Sequence, residues 1–166
     1  MHNLKLKSLL TLFAVAVLGT AVSGCQKDPV LATGQDVFTK YCATCHQQDG
    51  QGIDGAFPSL HASEWVNGDT GRLIRLTLRG MQGAIVINGK TYNNAMTPHG
   101  FLTDDQIAGV LTFVRQEFSN SADPVTSEEV AAVRSSLVSD DMYIASELEH
   151  LTGIPEAPVA PGASDE

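Results

Sequence analysis

Apolar side chains recur along this chain mainly at helical spacing, three and four residues apart, with one short stretch that reads as a hairpin. After an apolar run from Leu9 to Leu18, broken by Thr11 alone, the first periodic segment is Gln35 to Tyr41, where Val37, Phe38 and Tyr41 share a face. Residues 47–58 carry Gly50, Gly52 and Gly55 among Gln and Asp without an apolar period, and predict a loop. A second helix is expected from Gly71 to Arg79, with Asp69 or Thr70 as its cap, Leu73, Ile74, Leu76 and Leu78 as its apolar residues, and Gly80 as its stop. Ile85-Val86-Ile87 and Lys90-Thr91-Tyr92 flank Asn88-Gly89, the pair favoured by a two-residue type I′ turn, so a small hairpin is expected there. Asn93 to His99, containing Pro98, is irregular.

The clearest helix signal follows. Thr103 caps it, Asp104 and Asp105 complement the positive end of its dipole, and Gln106 stands at the capping-box position. Ile107, Val110, Leu111, Val114 and Phe118 then form its apolar stripe. A further helix starting near Thr126 buries Val130, Val133 and Leu137, and a last short helix is expected from Ser139 to Leu151. Residues 153–166, with three prolines and few large apolar side chains, read as disordered. The expectation is a mostly α fold with a short β-hairpin and no internal repeat.

The chemistry sits at the end of the first helix, in Cys42-Ala43-Thr44-Cys45-His46. Two thiols at C-x-x-C spacing can each add to one vinyl group of a haem, and a histidine directly after them is held where a ring nitrogen reaches the iron. The same spacing serves thioredoxin-like redox pairs and half zinc sites, but no βαβ pattern surrounds it and no second C-x-x-C exists. One covalently bound haem c is therefore expected, through Cys42 and Cys45. The chain's third cysteine, Cys25, has a different role.

Lys5 and Lys7, the apolar run and the small residues of 19–24 form an export signal, too short for a confident transmembrane helix. Val22-Ser23-Gly24-Cys25 resembles a bacterial lipobox, which implies a mature chain that starts at an acylated Cys25 and is held to a membrane. Two or three acyl chains anchor stably, since each buried methylene contributes about 0.8 kcal/mol. Localisation is expected on the periplasmic side of a bacterial membrane, inner or outer undecided.

Charge changes the picture in one respect. Residues 30–119 hold six basic and eight acidic side chains, whereas 120–166 hold ten acidic ones against Arg134 alone. A chain with so little basic surface is not a nucleic-acid binder. Its acidic end either steers a basic redox partner or acts as a solvated, solubilising tail.

Over roughly residues 30–120 the chain resembles the class I c-type cytochromes. The resemblance rests on the helix ending in Cys42-Ala43-Thr44-Cys45-His46, the Gly-rich loop to Phe57-Pro58-Ser59-Leu60, Trp65, the run Asn88-Gly89-Lys90-Thr91-Tyr92-Asn93-Asn94-Ala95-Met96, and the helix from Leu102 to Phe118. It implies helices wrapped around one haem, with the first and last crossing at Gly34, Phe38, Leu111 and Phe113. A sixth iron ligand is needed, and Met81, Met96, Met142, His61, His99 and His150 are available. The resemblance points to Met96. Met81 is then expected to pack in the core or touch the haem edge, and His99 to lie exposed beside the haem crevice. The resemblance also makes the Pro58 carbonyl the acceptor for His46. Trp65 and Tyr92 either donate to a propionate or pack around the cofactor. Arg72, Arg75 and Arg79 either neutralise a propionate or sit on a solvated helix face, the latter expected for two of the three.

The organisation expected is a signal over 1–24, a lipid-anchored linker over 25–33, a cytochrome c domain over 34–120, a helical acidic extension over 121–152 and a disordered tail over 153–166. With both axial positions filled, the protein reads as a membrane-anchored carrier of single electrons between redox protein partners, not an enzyme. The acidic extension motivates a second reading, a haem subunit of a larger dehydrogenase or oxidase. A third is a haem-based sensor in which Met96 leaves the iron.

Overall fold

A computed structural model describes residues 33–156. The expected signal peptide, Cys25, the linker up to residue 32 and the chain from residue 157 onward lie outside the described residues.

The first helix is longer than its periodicity predicted. It runs as α1 (Gly34–Val37), a π-helical turn (Phe38–Cys42) and α2 (Ala43–His46). Thr33 caps it through a full capping box with Asp36. The π turn is closed by the Ala43 N–H donating to the Phe38 carbonyl, a five-residue step that inserts one residue just before the C-x-x-C-H ends the helix. Next come α3 (Thr70–Arg79), capped by Asp69, and β1 (Met81–Gln82). The hairpin of β2 (Ile85–Ile87) and β3 (Lys90–Tyr92) follows, its turn residues Asn88 and Gly89 both at positive φ as type I′ requires. Helix α4 (Asp104–Gln116) has the Thr103–Gln106 capping box read from sequence, and α5 (Ser127–Ser135) has one between Thr126 and Glu129.

Two features of the C-terminal part depart from expectation. The last short helix is confined to α6 (Ala145–Leu148), because Tyr143–Ile144 form a strand, β4, that pairs in parallel with β1. Strands 62 residues apart and two residues long carry no local signal that pattern reading can detect. Gly153, at the start of the expected disordered tail, is held in place. Its N–H donates to Asp69 Oδ2 (2.8 Å) and its carbonyl accepts from Arg75 Nη1 (2.9 Å).

The arginines of α3 are likewise not on a solvated face. Arg75 is buried, Arg72 lies 4.3 Å over the Trp65 ring, and Arg79 lies 4.1 Å over the Tyr143 ring while its Nε donates to the Asp141 carbonyl. Each extends a cation over an aromatic face or onto a carbonyl, and for Arg75 and Arg79 the partner comes from distant chain, which helical period cannot reveal.

The core is shared by the whole described chain. Phe38, Ile74, Ile107 and Val110 from the N-terminal part are fully buried together with Val130, Val133 and Leu148 from the acidic extension. The extension is acidic on its surface and apolar inside, and packs as part of the fold. Helices α1 and α4 cross at Gly34, as expected, with Phe38 and Phe113 rings 5.4 Å apart. The residue facing Gly34 is Gly109: a Cβ on Gly34 would overlap the Gly109 carbonyl oxygen, so the two backbones touch.

That contact is asymmetric, since a Cβ on Gly109 would lie 3.6 Å from Gly34 Cα, in ordinary van der Waals contact. Gly34→Ala is therefore expected to destabilise by about 1–3 kcal/mol through overpacking. Gly109→Ala, in a helix interior, is expected to be neutral or to stabilise by up to about 1 kcal/mol. Urea unfolding of the two variants against wild type, at unchanged m-value, checks both signs.

Candidate functional site

A cavity of about 150 Å³ opens between α2, α3, the 93–102 segment and α4. Folded interiors carry few voids larger than a water, so a cavity of this size is a candidate for holding a ligand. Cys42, Cys45 and His46 line it from the first helix, Pro58 and Trp65 from the loop, Tyr92 from the hairpin and Met96 from the segment after it. All seven residues expected to hold or surround a haem are thus brought to one cavity.

His46 is placed by the geometry around it. Its helix stops because Gln47 adopts positive φ, and the His46 carbonyl accepts from Gly52 N (2.9 Å), turning the loop back under the ring. Its Nδ1 lies 3.0 Å from the Pro58 carbonyl. A carbonyl only accepts, so the neutral ring carries its proton on Nδ1 and presents the Nε2 lone pair. Burial lowers the His46 pKa, against the opposing effect of the Pro58 hydrogen bond and with a further push from His99. A neutral imidazole with one nitrogen tied to a backbone carbonyl is the form in which histidine coordinates a metal.

The thiols point the same way. Burial, and then the neighbouring Cys45, pushes the Cys42 thiol up to about 11. Redox C-x-x-C pairs depend on a thiol pKa well below the ordinary value, so this environment argues against thiol–disulfide exchange. It suits two sulfurs that end as neutral thioethers in an apolar wall. The residue set therefore fits a covalently bound haem: two sulfurs at the right spacing, a neutral histidine and a methionine thioether on the wall of the same apolar cavity.

His99 departs from expectation. It is buried, lines the cavity and leaves Nδ1 without a hydrogen-bond partner, where exposure was expected. The backbone accounts for this: His99 N donates to the Thr77 carbonyl (3.0 Å) and its carbonyl accepts from Leu102 N (3.0 Å), folding the segment onto α3. The ring then packs edge-on against Tyr41 and beside the exposed Phe101. Burial lowers its pKa and favours the neutral ring. Of the other candidates, Met81 is buried and lines the cavity, while His61 is held by its Nε2 against the Asp49 carbonyl (2.6 Å).

Residues 31–117 match the cytochrome c family. The chain belongs to that family. Cytochrome c-552 of Thermus thermophilus is 37% identical over 123 residues, spanning 69% of this chain and 93% of the relative. The cytochrome c subunit of gluconate 2-dehydrogenase from Pantoea cypripedii is 33% identical over 116 residues, 61% of this chain and 24% of that protein. The Cbb3-type cytochrome c oxidase subunit CcoP of Azospirillum sp. (strain B510) is 31% identical over 120 residues, 67% of this chain and 40% of that one. This cytochrome c is accordingly an electron-transfer haem protein with one covalent haem c, built on a small, mainly helical class I fold. Among the described residues no helix is long and apolar enough to cross a membrane.

Asn120, which carried no sequence signal, fixes the cavity loop of this cytochrome c. It is buried, and its Nδ2 donates to the carbonyls of Leu60 and Val114, both at 2.9 Å. Its Oδ1 accepts from Asn67 Nδ2 at 2.6 Å. Asn120→Ala strands two carbonyls and an amide and is expected to destabilise by about 2–3 kcal/mol. Guanidinium unfolding of the haem-bearing variant measures it.

Proposed function

We propose that this cytochrome c is a monohaem carrier of single electrons between redox protein partners, anchored by an acylated Cys25 on the periplasmic side of a bacterial membrane. In this reading Cys42 and Cys45 form the thioether links, and His46 and Met96 are the axial ligands. The observation that carries it is the meeting, in one apolar cavity, of the C-x-x-C-H residues, a His46 ring tied by Nδ1 to Pro58 O, and Met96. When bound, the haem supplies a one-electron Fe(III)/Fe(II) couple.

The chain's residues do the rest. Pro58 keeps the His46 ring oriented and its Nε2 unprotonated. A soft thioether from Met96 favours the ferrous state and raises the potential above that of a bis-imidazole site. Trp65 and Tyr92, both buried in the cavity wall, shield the cofactor from water and have polar tips to offer a propionate. Two side-chain ligands leave no coordination position for a substrate, which argues for electron transfer over peroxide or oxygen chemistry.

The subunit reading draws support from the dehydrogenase and oxidase subunits among the relatives. The reason that sequence offered for it has weakened, because the acidic extension is packed into its own fold. Solubilisation in mild detergent separates the two readings: a large catalytic partner that co-purifies favours the subunit, and a monohaem species alone favours the carrier.

Ligation is tested by visible spectra of the protein matured in a host that attaches c-type haem. Wild type is expected to show split low-spin bands when reduced and the weak red charge-transfer band of a Met–Fe(III) bond when oxidised. Met96→Ala should keep covalent haem but lose that band, whereas His99→Phe should keep it. Retention of the band in Met96→Ala would transfer the ligand role to another methionine, and a low-spin wild type without the band that turns high-spin in His99→Phe would transfer it to His99. The anchor is tested separately: Cys25→Ser is expected to leave the membrane fraction without losing haem, and an unmodified Cys25 in mature wild type would refute lipidation.

A further inference from the structure

The segment that carries Met96 is gripped by the C-terminal extension at two places. The first is through β1. Met81 exchanges both backbone hydrogen bonds with Met96, N–H to carbonyl in each direction at 3.0 Å. The other edge of the same short strand pairs with β4, Met81 opposite Tyr143, and the Tyr143 N–H donates to the Gly80 carbonyl (3.2 Å). Gly80, at φ 66°, admits this only because it has no Cβ, which would overlap the Met96 carbonyl oxygen. The second grip is Arg134 of α5. Its Nη1 donates to the Gly100 carbonyl (2.7 Å), its Nη2 to the Leu102 carbonyl (2.8 Å) and its Nε to Asp104 Oδ1 (2.7 Å). All five guanidinium donors lie on a rigid planar fork, and here three nitrogens meet three acceptors on one turn of chain.

We infer that Arg134 is a positioning residue for the sixth iron ligand: its guanidinium ties residues 100–104 to α5 and so holds the Met96 thioether against the iron. The inference rests on Met96 being that ligand. Arg134 is the single basic side chain of residues 120–166, and the ten acidic side chains there offer it many partners. It points instead at two main-chain carbonyls that no helix or strand satisfies, four and six residues beyond Met96. The Asp104 carboxylate at the start of α4 sets the third corner of the fork. With both grips in place, Met96 leaves the iron only if the loop breaks several hydrogen bonds at once. Without Arg134, the end of the loop that lies beyond Met96 keeps the His99 N–H bond to Thr77 O, the packing of the His99 ring and the start of α4, but loses its tie to α5.

The test compares ferric holoprotein variants under conditions where all are folded, using exogenous imidazole as the probe. Imidazole takes the sixth position only after Met96 leaves, so its observed association rate reports loop opening, and the red charge-transfer band reports the intact Met–Fe bond. Arg134→Met, which keeps the apolar stem and removes the fork, is expected to bind imidazole about tenfold faster, as loss of a charged hydrogen bond predicts. Arg134→Lys keeps the charge but not the fork and should fall between the two. Val133→Ala is the structural control: it loosens the buried face of the same helix and costs stability, yet leaves the fork untouched, and its rate should stay at the wild-type value. Equal rates in wild type and Arg134→Met, or equal acceleration in Val133→Ala, would overturn the inference while leaving Met96 ligation intact. A wild-type ferric spectrum without the Met–Fe band would instead overturn the ligand assignment, and this inference with it.

Discussion

The contact from His46 Nδ1 to the Pro58 carbonyl is the interaction on which the rest of the site depends. A buried imidazole can be neutral in two tautomers, and only one of them presents its free lone pair to a metal on the far side of the ring. The loop from Gln47 to Leu60 exists to deliver that carbonyl. Gly52 sits where a Cβ would overlap the Phe57 carbonyl, so the loop folds back tightly on itself. Leu60 N donates to the Gly50 carbonyl (2.8 Å), and Leu60 O is held by Asn120. The far end of α4 thereby supports the near side of the cofactor site. An error of one residue in this loop would free the ring to rotate and bury an unpaired N–H.

Much of this was legible in local signals. Three capping boxes or caps, at Thr103, Thr126 and Asp69, are written in adjacent residues, and so are the Asn88-Gly89 turn and the C-x-x-C-H run. Each is a contact between residues within four positions of one another, the range that pattern reading reaches. What escaped is long-range. The β1–β4 pair joins residues 62 apart, and Gly109 meets Gly34 across the molecule. His99 was expected exposed beside the haem crevice, but Thr77, more than twenty residues back, draws its backbone inward. The π turn ahead of Cys42 was also invisible, since Val37, Phe38 and Tyr41 fit an ordinary helix equally well.

The acidic extension is the part whose meaning changes most. As charge alone, ten carboxylates against one arginine describe a solvated tail or a docking patch. In the fold, the described part of the same stretch contributes Val125, Val130, Val133, Tyr143, Ala145 and Leu148 to the core, with most of its carboxylates on the surface. A domain of this size with a large cofactor cavity has less of its own side-chain volume to bury, so added apolar surface matters. The extension covers α3 and β1, the elements directly behind the Met96 segment.

This position links stability to redox behaviour. A thioether is a better partner for ferrous than for ferric iron, so under the ligation proposed above a Met96 bond would be weakest in the oxidised state. A loop free to open would lose the ligand preferentially after oxidation, and the iron would then present an open position and a lowered potential. Holding the loop from outside, by backbone pairing through β1 and by the Arg134 fork, supplies restraint that the bond itself lacks in that state. Neither grip touches the iron or changes its ligand set. With Met96 as the ligand, their effect would be to let the two oxidation states share one geometry, which is what rapid single-electron exchange requires.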